Sequence, residues 1–281
     1  MYVDRLQALL HRFSVRTRLF HSGPLCGIHD FDDALGRGQL HLVRRGPVEA
    51  RHGGGAPLRI EQPSLIFYPR GLPHRFVTDP ERGADMACAH VDFGGGHHPL
   101  AQALPPVLAM PLAEVGGAEA VLELLFDEAF AQRCGRQDLL DRLFEVVLIL
   151  ILRSLMDQGR VGHGLLAGLA HPQLARALNA IHQAPAQAWT LERMAEQAGM
   201  SRSRFAAAFA QTLGLTAGDY LADYRIALAQ DLLRRGRPLK LIADEVGYGS
   251  TAALSRAFSA RCGRSPREWK AAQRDAAEAG V

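Results

Sequence analysis

Cysteine and histidine, whose side chains bind metals or react with oxidants, recur in the N-terminal part of the chain. The stretch ADMACAHVDF, residues 84–93, places Cys88 and His90 two positions apart. Alternate side chains of a β-strand point to the same face, so a thiol and an imidazole would emerge side by side. Thiolates and imidazoles are ligands that zinc prefers, and a thiol is also a group that oxidants attack.

A candidate ligand set consists of Cys26, His41, His74 and Cys88. Two thiols and two imidazoles suit a tetrahedral zinc ion or another divalent transition metal. His90 is then an alternative ligand, or a neighbour that orients a ligand or lowers the thiol pKa. Two other interpretations stay open: a redox-active Cys26–Cys88 pair, or cysteines that only fill a core.

The elements that would position these residues are short strands between Leu40 and about Phe93. Gly/Pro-rich turns separate the segments QLHLVRRG, PLRIEQ, SLIFYPRG, HRFVTD and MACAHVDF. Strands of this length with such turns predict a barrel or a sandwich. Ligands on barrel strands converge through the fold, which explains why their sequence spacing is not that of a zinc finger.

A helical pattern follows over residues 118–156, in two pieces broken near CGRQD. The second piece, LLDRLFEVVLILILRSLM, is apolar on nearly every side, which predicts burial all round. The burial partner is either the same chain or a second copy at a dimer interface. The Gly-rich stretch over 157–170 then predicts a hinge.

The strongest pattern is TLERMAEQAGMSRSRFAAAFAQTLG, residues 190–214. Thr190 and Ser201 are N-cap residues of two short helices, and Gly199 ends the first of them. Two short helices joined by a glycine-containing turn form a helix-turn-helix.

The same pattern recurs in RPLKLIADEVGYGSTAALSRAFSARCG, residues 237–263. Pro238 lies near a helix start, Gly247 at the turn and Ser250 at the next cap, 49 residues after Ser201. The helix between the motifs has about 19 residues and a length of roughly 28 Å. That spacer suits two recognition helices held about one turn of DNA apart, ~34 Å, in successive major grooves.

The charge distribution agrees with a DNA-binding C-terminal part. Residues 171–281 hold 15 Lys and Arg against 10 Asp and Glu, whereas residues 1–170 hold 17 against 19. A basic balance suits a polyanion. The longest apolar run, Val146–Leu152, is far shorter than the ~20 residues of a membrane span. No secretory signal is visible, so we expect a cytoplasmic protein without membrane association.

Eight outward positions on the second helix of each motif are predicted to contact DNA. They are Arg202, Ser203, Ala206, Ala207, Thr251, Ala252, Ser255 and Arg256. Arginine pairs with guanine in two hydrogen bonds, whereas alanine only touches a thymine methyl. Arg256 is better placed for bases, and Arg202 is either a base reader or a phosphate contact.

Residues 172–270 resemble the DNA-binding domain of the AraC/XylS family of bacterial transcription regulators. The residues at the family's expected places are Ile242, Gly247, Tyr248, Leu254, Arg256, Phe258, Gly263, Pro266 and Trp269. The resemblance implies a transcription factor that recruits or blocks RNA polymerase at a promoter. The pair Ala206 and Ala207 departs from the family's polar readers, so the first helix is expected to discriminate less.

The N-terminal part resembles the cupin-type sensor domain of one branch of this family. GQLHLVRRG and SLIFYPRGLPHRF carry the resemblance, and Pro69-x-Gly71-x-x-His74 matches the core of the second cupin motif. The first cupin motif is incomplete, because Val43 follows His41 where a further ligand would stand. We therefore expect no catalysis.

Together these patterns predict an α+β protein: an N-terminal cupin-like β-barrel with dimerisation helices and an all-α double helix-turn-helix domain. The predicted boundaries are a sensor and dimerisation domain over 1–156, a hinge over 157–170, a DNA-binding domain over 171–275 and a tail over 276–281. The expected partners are double-stranded promoter DNA, RNA polymerase and a second copy in a homodimer. The effector is a metal, an oxidant or a small molecule, and activation or repression stays open. The alternative function is an enzyme-like cupin fused to a DNA-binding module.

Overall fold

The computed structural model of the protein describes residues 4–33, 35–94, 98–160 and 162–279. These residues divide into two compact units. The barrel unit comprises residues 15–94 and 104–158, and the helical unit comprises residues 4–14, 98–103 and 159–279, each without the gaps above. The outermost residues of the predicted first domain and tail, 1–3 and 280–281, lie outside the described residues.

Nine strands of the described chain form the barrel unit's two antiparallel sheets. They are β1 Arg16–Leu25, β2 Ile28–Phe31, β3 Gly38–Arg45, β4 Val48–His52, β5 Leu58–Ile60, β6 Ser64–Tyr68, β7 His74–Val77, β8 Ala84–Asp92 and β9 Leu108–Pro111. One sheet has the order β1-β8-β3-β6-β9 and the other β2-β7-β4-β5. All five strand segments predicted from the sequence are confirmed, as β3, β5, β6, β7 and β8.

The helices follow the order of the chain. They are α1 Gln7–Arg12, α2 Pro99–Ala103, α3 Glu119–Ala129, α4 Arg136–Asp157, α5 Leu165–Ala170, α6 Pro172–Gln183, α7 Leu191–Ala198, α8 Arg202–Leu213, α9 Ala217–Arg234, α10 Leu239–Val246, α11 Thr251–Cys262 and α12 Pro266–Ala279. Within the described residues, none of these helices is long and apolar enough to cross a membrane.

The strand register decides which side chains meet inside the barrel. His41 of β3 lies opposite Cys88 of β8 on one side and opposite Ile66 of β6 on the other. Directly opposite residues of antiparallel strands share a face. Cys88 and Ile66 belong to one buried apolar cluster, which also contains Phe76 of β7. This register places polar His41 in the middle of an apolar interior.

The two predicted helices after the barrel are confirmed as α3 and α4, with a break between them. Helix α4 packs against β1 and α3, so Leu148 and Ile151 are buried. Leu139 and Val146 are 40% and 41% exposed on the other side of the helix. The expectation of burial all round is therefore wrong within a single chain, because only one face of α4 has a partner there.

The helical unit begins earlier in the chain than the predicted boundary at residue 156. Helix α1 joins it: the Arg12 Nε donates to the carbonyl oxygen of His182 at 2.6 Å. The Phe13 ring meets the rings of His98 and Tyr224 edge-on, at centroid distances of 5.0 and 5.6 Å. Buried Phe13 thus ties the N-terminal segment to helices far along the sequence.

The predicted hinge and tail are more ordered than expected. Helix α5 occupies the second half of the region 157–170, and its Leu165, Leu166 and Leu169 are buried. Since these leucines pack against the helical unit, that half of the predicted hinge is part of a folded core. Helix α12 also continues past residue 275 to Ala279.

Candidate functional site

The first helix-turn-helix consists of α7 and α8. Side-chain oxygens of Thr190 and Ser201 accept the backbone N–H groups of Arg193 and Arg204, at 3.3 and 3.4 Å, and so cap the two helices. Gly199 joins them with φ +63°, a left-handed conformation that glycine adopts without a steric cost. Phe205 and Phe209 are fully buried, which leaves the opposite side of α8 outward.

The second helix-turn-helix consists of α10 and α11. Ser250 caps α11 by accepting the Ala253 N–H at 3.1 Å. Gly247 has φ +84°, and a Cβ there would lie 2.7 Å from the Ala186 Cα. The turn therefore requires glycine for two reasons, conformation and space. Phe258 is buried and meets Trp269 edge-on at 5.9 Å.

The 18-residue helix α9 joins the two motifs, and at 1.5 Å per residue it is about 27 Å long. Its Arg225 donates to the carbonyl oxygens of Pro185 and Gln187 and lies over the Tyr248 ring, 5.8 Å from the centroid. Arg225 thereby links the segment before the first motif to the turn of the second. Helix α9 also contacts α8, α10 and α11, so both motifs pack against one spacer.

The predicted DNA-contacting residues lie on the outward sides of α8 and α11. Six are exposed and two are half-buried, namely Ala206 and Ser255. Arg202 forms an ion pair with Glu192 at 3.0 Å. Arg256 has no side-chain partner within the described residues, so its guanidinium donors are available to a ligand. The two arginines therefore differ in that the guanidinium of Arg202 is engaged with Glu192, whereas that of Arg256 is exposed.

A second polar group lies inside the barrel, where His41 and His74 meet. Their Nε2 atoms are 3.0 Å apart, and His74 Nδ1 donates to the carbonyl oxygen of Leu72 at 2.8 Å. Because a carbonyl only accepts, a neutral His74 carries its proton on Nδ1 and accepts at Nε2 from His41. The remaining nitrogen of His41, Nδ1, then presents a lone pair, and it is buried without a hydrogen-bond partner in the described residues.

Burial keeps both of these histidines neutral. It holds the pKa of His41 well below its usual range and lowers the pKa of His74 to about 4. The ring of Tyr68 stacks on His74 at 3.7 Å, and its hydroxyl lies 3.3 Å from His52 Nδ1. The pair is therefore enclosed by aromatic rings and linked to His52 through Tyr68.

Cys88 is fully buried beside His41, and burial raises the pKa of its thiol. A protonated thiol is a poor nucleophile and a poor metal ligand. His90 is half-buried, with burial lowering its pKa, and its ring lies 4.4 Å from that of Phe20. The structure therefore brings His41, His74 and Cys88 into one interior, with His90 farther along β8.

Cys26 does not join this group, which corrects the predicted ligand set. Its Sγ lies 2.6 Å from the position a Cβ on Gly83 would occupy, just before β8. Cys88 is five residues farther along that strand, about 16 Å away at ~3.3 Å per residue. Cys26 is also exposed, whereas Cys88 is buried. Neither a shared metal ion nor a Cys26–Cys88 disulfide fits this separation.

The donor set does not suit a tetrahedral zinc ion. Within the described residues, no three His, Cys, Asp or Glu side chains are arranged to hold one metal ion. The two converging imidazoles are engaged with each other, and the adjacent thiol is held in its neutral form. A metal at the four predicted residues therefore disagrees with their placement in this fold.

Sequence reasoning missed His21, a further imidazole on the strand next to Cys88. It lies opposite Cys88 on β1, after a register shift between Leu19 and His21. The shift breaks the two-residue alternation of the strand, so counting along RTRLFHSGPL assigns His21 no definite face. The contacts of Tyr68 with His74 and His52 were also not predicted. The only sequence signal for them was that Tyr68 and His52 lie on barrel strands.

Comparison with known proteins agrees with the architecture. A family profile described as Cupin matches residues 4–157, more than half of the chain, and one described as helix-turn-helix domain matches residues 194–272. The chain belongs to the AraC family of transcription regulators and carries a cupin domain. The helix-turn-helix profile overlaps both motifs that the sequence predicts.

Two relatives in the AraC family illustrate the extent of the likeness. A protein of Streptomyces antibioticus named as an AraC-like transcription regulator is 40% identical over 59% of this chain and 56% of its own length. The chain thus spans little more than half of that relative. An HTH-type transcriptional regulator of Haemophilus influenzae is 28% identical over 96% of this chain and 98% of its own length.

Among solved structures, the DNA-binding domain of AdpA in complex with a target DNA aligns at 28% identity, with a TM-score of 0.35, over 37% of this chain and 94% of that one.

Proposed function

We propose that this AraC-type regulator reads a promoter site through α8 and α11, placed in successive major grooves, and thereby recruits or blocks RNA polymerase. Two helix-turn-helix motifs, each with a glycine at its turn, pack against one spacer helix about 27 Å long, and this arrangement supports the proposal. Their outward faces carry the arginine and hydroxyl side chains that read base edges.

The two arginines provide the test. Arg256→Ala is expected to cost about 1–3 kcal/mol of DNA-binding free energy and to relax the preference at one base pair. Arg202→Ala is the matched comparison and should cost less, because Arg202 is already paired with Glu192. Fluorescence anisotropy on the operator and its single-base variants measures both. An equal loss on every sequence with Arg256→Ala would make Arg256 a phosphate contact.

We also propose that two copies associate through the outward face of α3 and α4. Leu124 of α3 is 46% exposed, and Leu139 and Val146 of α4 are 40% and 41% exposed. Apolar side chains grouped on one face are typical of a surface that a partner covers. Val146→Glu is expected to give a monomer in sedimentation at micromolar concentration, and Val146→Ala should remain dimeric. A monomeric parent protein would contradict the dimer.

For the effector, we propose a small molecule or an oxidant that donates a hydrogen bond to His41 Nδ1 inside the barrel. A buried lone pair without a partner costs free energy, and a protic ligand would recover it. The barrel would then sense and not catalyse, in line with relatives that are named as transcription regulators. Zinc, the ion expected from the sequence, is less favoured because its donors do not converge.

This effector assignment is tested on DNA binding of the whole chain. Hydrogen peroxide and zinc chloride are added separately, and operator affinity is measured for the parent, His41→Gln and Cys26→Ser. We expect peroxide to change the affinity of the parent and of Cys26→Ser, and to leave His41→Gln unchanged. A response to zinc alone that Cys26→Ser abolishes would restore the four-residue metal site.

A further inference from the structure

The helical unit contains a cavity of about 410 Å³ beside the spacer helix α9. Side chains of α2, α8, α9 and α11 line it, together with residues 164 and 165. Small-molecule sites in proteins have volumes of roughly 300–1,000 Å³ and mostly apolar walls with a few polar groups. The cavity is separate from the outward faces of α8 and α11 and from the barrel interior.

Most of the lining is apolar or aromatic. Leu165, Leu213 and Ile226 contribute aliphatic walls, and Tyr220 and Tyr224 contribute stacked rings with centroids 6.3 Å apart. The Tyr220 hydroxyl lies 2.5 Å from His182 Nε2, so its polar end already has a partner. What the two tyrosines offer to a ligand is therefore their rings.

One anion and one cation line the cavity, Asp223 and Arg261, and the neighbouring Asp219 gives this three-residue cluster a net negative charge. Arg261 of α11 forms ion pairs with both Asp219 and Asp223 of α9, and the pair with Asp219 measures 3.2 Å. Two carboxylates thus share one guanidinium. Asp223 lines the cavity and its side chain is 52% exposed, so it retains acceptor capacity. Asp219 is also held by the Thr216 hydroxyl at 2.7 Å, which leaves Asp223 as the freer carboxylate.

We propose that this cavity binds a small amphiphilic organic cation. The apolar part of the ligand packs against Leu165, Leu213 and Ile226, and its ammonium group lies between Asp223 and the tyrosine rings. A carboxylate and aromatic faces both attract an ammonium group. The ligand would touch α9 and α11 at the ion pair that joins them, so its occupancy would also alter how the second recognition helix is held. This site goes beyond the proposed effector response of the barrel.

The experiment compares three probes with the same ten-carbon tail, each below its micelle-forming concentration. Calorimetric titration of the full chain uses decyltrimethylammonium, decanoate and decanol. We expect saturable binding of one decyltrimethylammonium per chain and binding about tenfold weaker for the other two, as an ion pair with a cation–π contact implies.

Variants assign the binding to this cavity. Asp223→Asn should remove the preference for the cation, and Ala103→Trp should fill the cavity and abolish binding of every probe. Asp244→Asn is the matched control, because Asp244 is an exposed aspartate of the same unit that does not line the cavity. Thermal unfolding of each variant verifies that it is folded.

Three results would overturn the proposal: equal binding of all probes, tighter binding of decanoate, or binding that persists in both Asp223→Asn and Ala103→Trp. Tighter binding of decanoate would mean that an anion displaces Asp223 from Arg261. Operator binding by the ligand-free chain is measured separately, so failure here is distinguishable from failure of the proposed DNA-binding function.

Discussion

The helical unit and the barrel unit hold their candidate functional side chains in opposite ways. In the helical unit, Arg256 and its neighbours are exposed and are positioned by caps and turns only a few residues away. In the barrel unit, His41 and His74 are buried and come from strands 33 residues apart in the sequence. The first arrangement suits a large external partner such as DNA, and the second suits a small ligand that must enter the protein. The surface proposed to contact DNA is thus specified by local sequence, whereas an internal site depends on the pairing of the whole sheet.

Phe258→Ala is expected to have the largest effect on the helical unit alone. Removing a fully buried phenylalanine ring costs about 3–5 kcal/mol of stability. Since Phe258 packs in the second motif, DNA binding should be lost while the barrel keeps its structure. Hydrogen exchange should show lost protection in residues 239–272 and normal protection in β3 and β8.

Phe76→Ala is the counterpart in the barrel, where the side chain is also fully buried. It should expose β3 and β8 to exchange and leave α10 and α11 protected. If either substitution exposed both units to exchange together, the two units would not unfold independently.

A drop in pH is expected to destabilise both units, by about 2 kcal/mol per buried histidine between pH 7 and pH 5. Burial lowers the pKa of His182 in the helical unit to about 3 and that of His74 in the barrel to about 4. A histidine with a depressed folded-state pKa contributes its full stability above its unfolded value of 6.5 and loses it as the pH falls. Denaturant unfolding at the two pH values measures the loss.

Single substitutions separate the two histidine contributions. His182→Gln should reduce the pH dependence of the helical unit, where burial also lowers the pKa of His98. His74→Gln should reduce that of the barrel, where burial also lowers the pKa of His41. His163→Gln is the control, because His163 is exposed and its substitution should leave both profiles unchanged. A profile that stays steep in both His182→Gln and His74→Gln would show that other groups carry the acid sensitivity.

The smallest effect is expected at a helix cap. Ser250→Ala removes the side chain that accepts the Ala253 N–H and should cost about 1 kcal/mol of the helical unit's stability. Ser250→Asp keeps an acceptor at the cap and should retain that stability. Urea unfolding followed by circular dichroism measures both, and equal losses for the two would mean that the cap does not hold α11.

The helical unit was predictable because its signals are local. Caps at Thr190, Ser201 and Ser250 and glycines at 199 and 247 each act within one or two helical turns, and the structure confirms all of them. The second motif repeats the residue pattern of the first at an offset of 49 residues, which identified both motifs in the sequence. What the sequence did not show was the docking of α1, because buried Phe13 meets partners as distant as Tyr224.

The barrel was predictable as strands but not as a site. Residue types identified His41, His74 and Cys88 as candidates. The side chains that lie next to them depend on which strands pair, and the sequence did not show that pairing. The pairing of β1 with β8 brings His21 opposite Cys88 and leaves Cys26 near Gly83. A register shift inside β1 moves side chains from one face of the sheet to the other, and no residue pattern in that strand predicts it.

Operator mapping tests whether two recognition helices on one spacer read DNA together. Every base pair of the operator is substituted in turn, and affinity is measured for the parent and for Arg256→Ala. We predict two clusters of sensitive base pairs centred about 10 base pairs apart, with Arg256→Ala relaxing a position in only one of them. A single cluster, or a uniform loss of affinity at both clusters, would show that the two helices do not read separate half-sites.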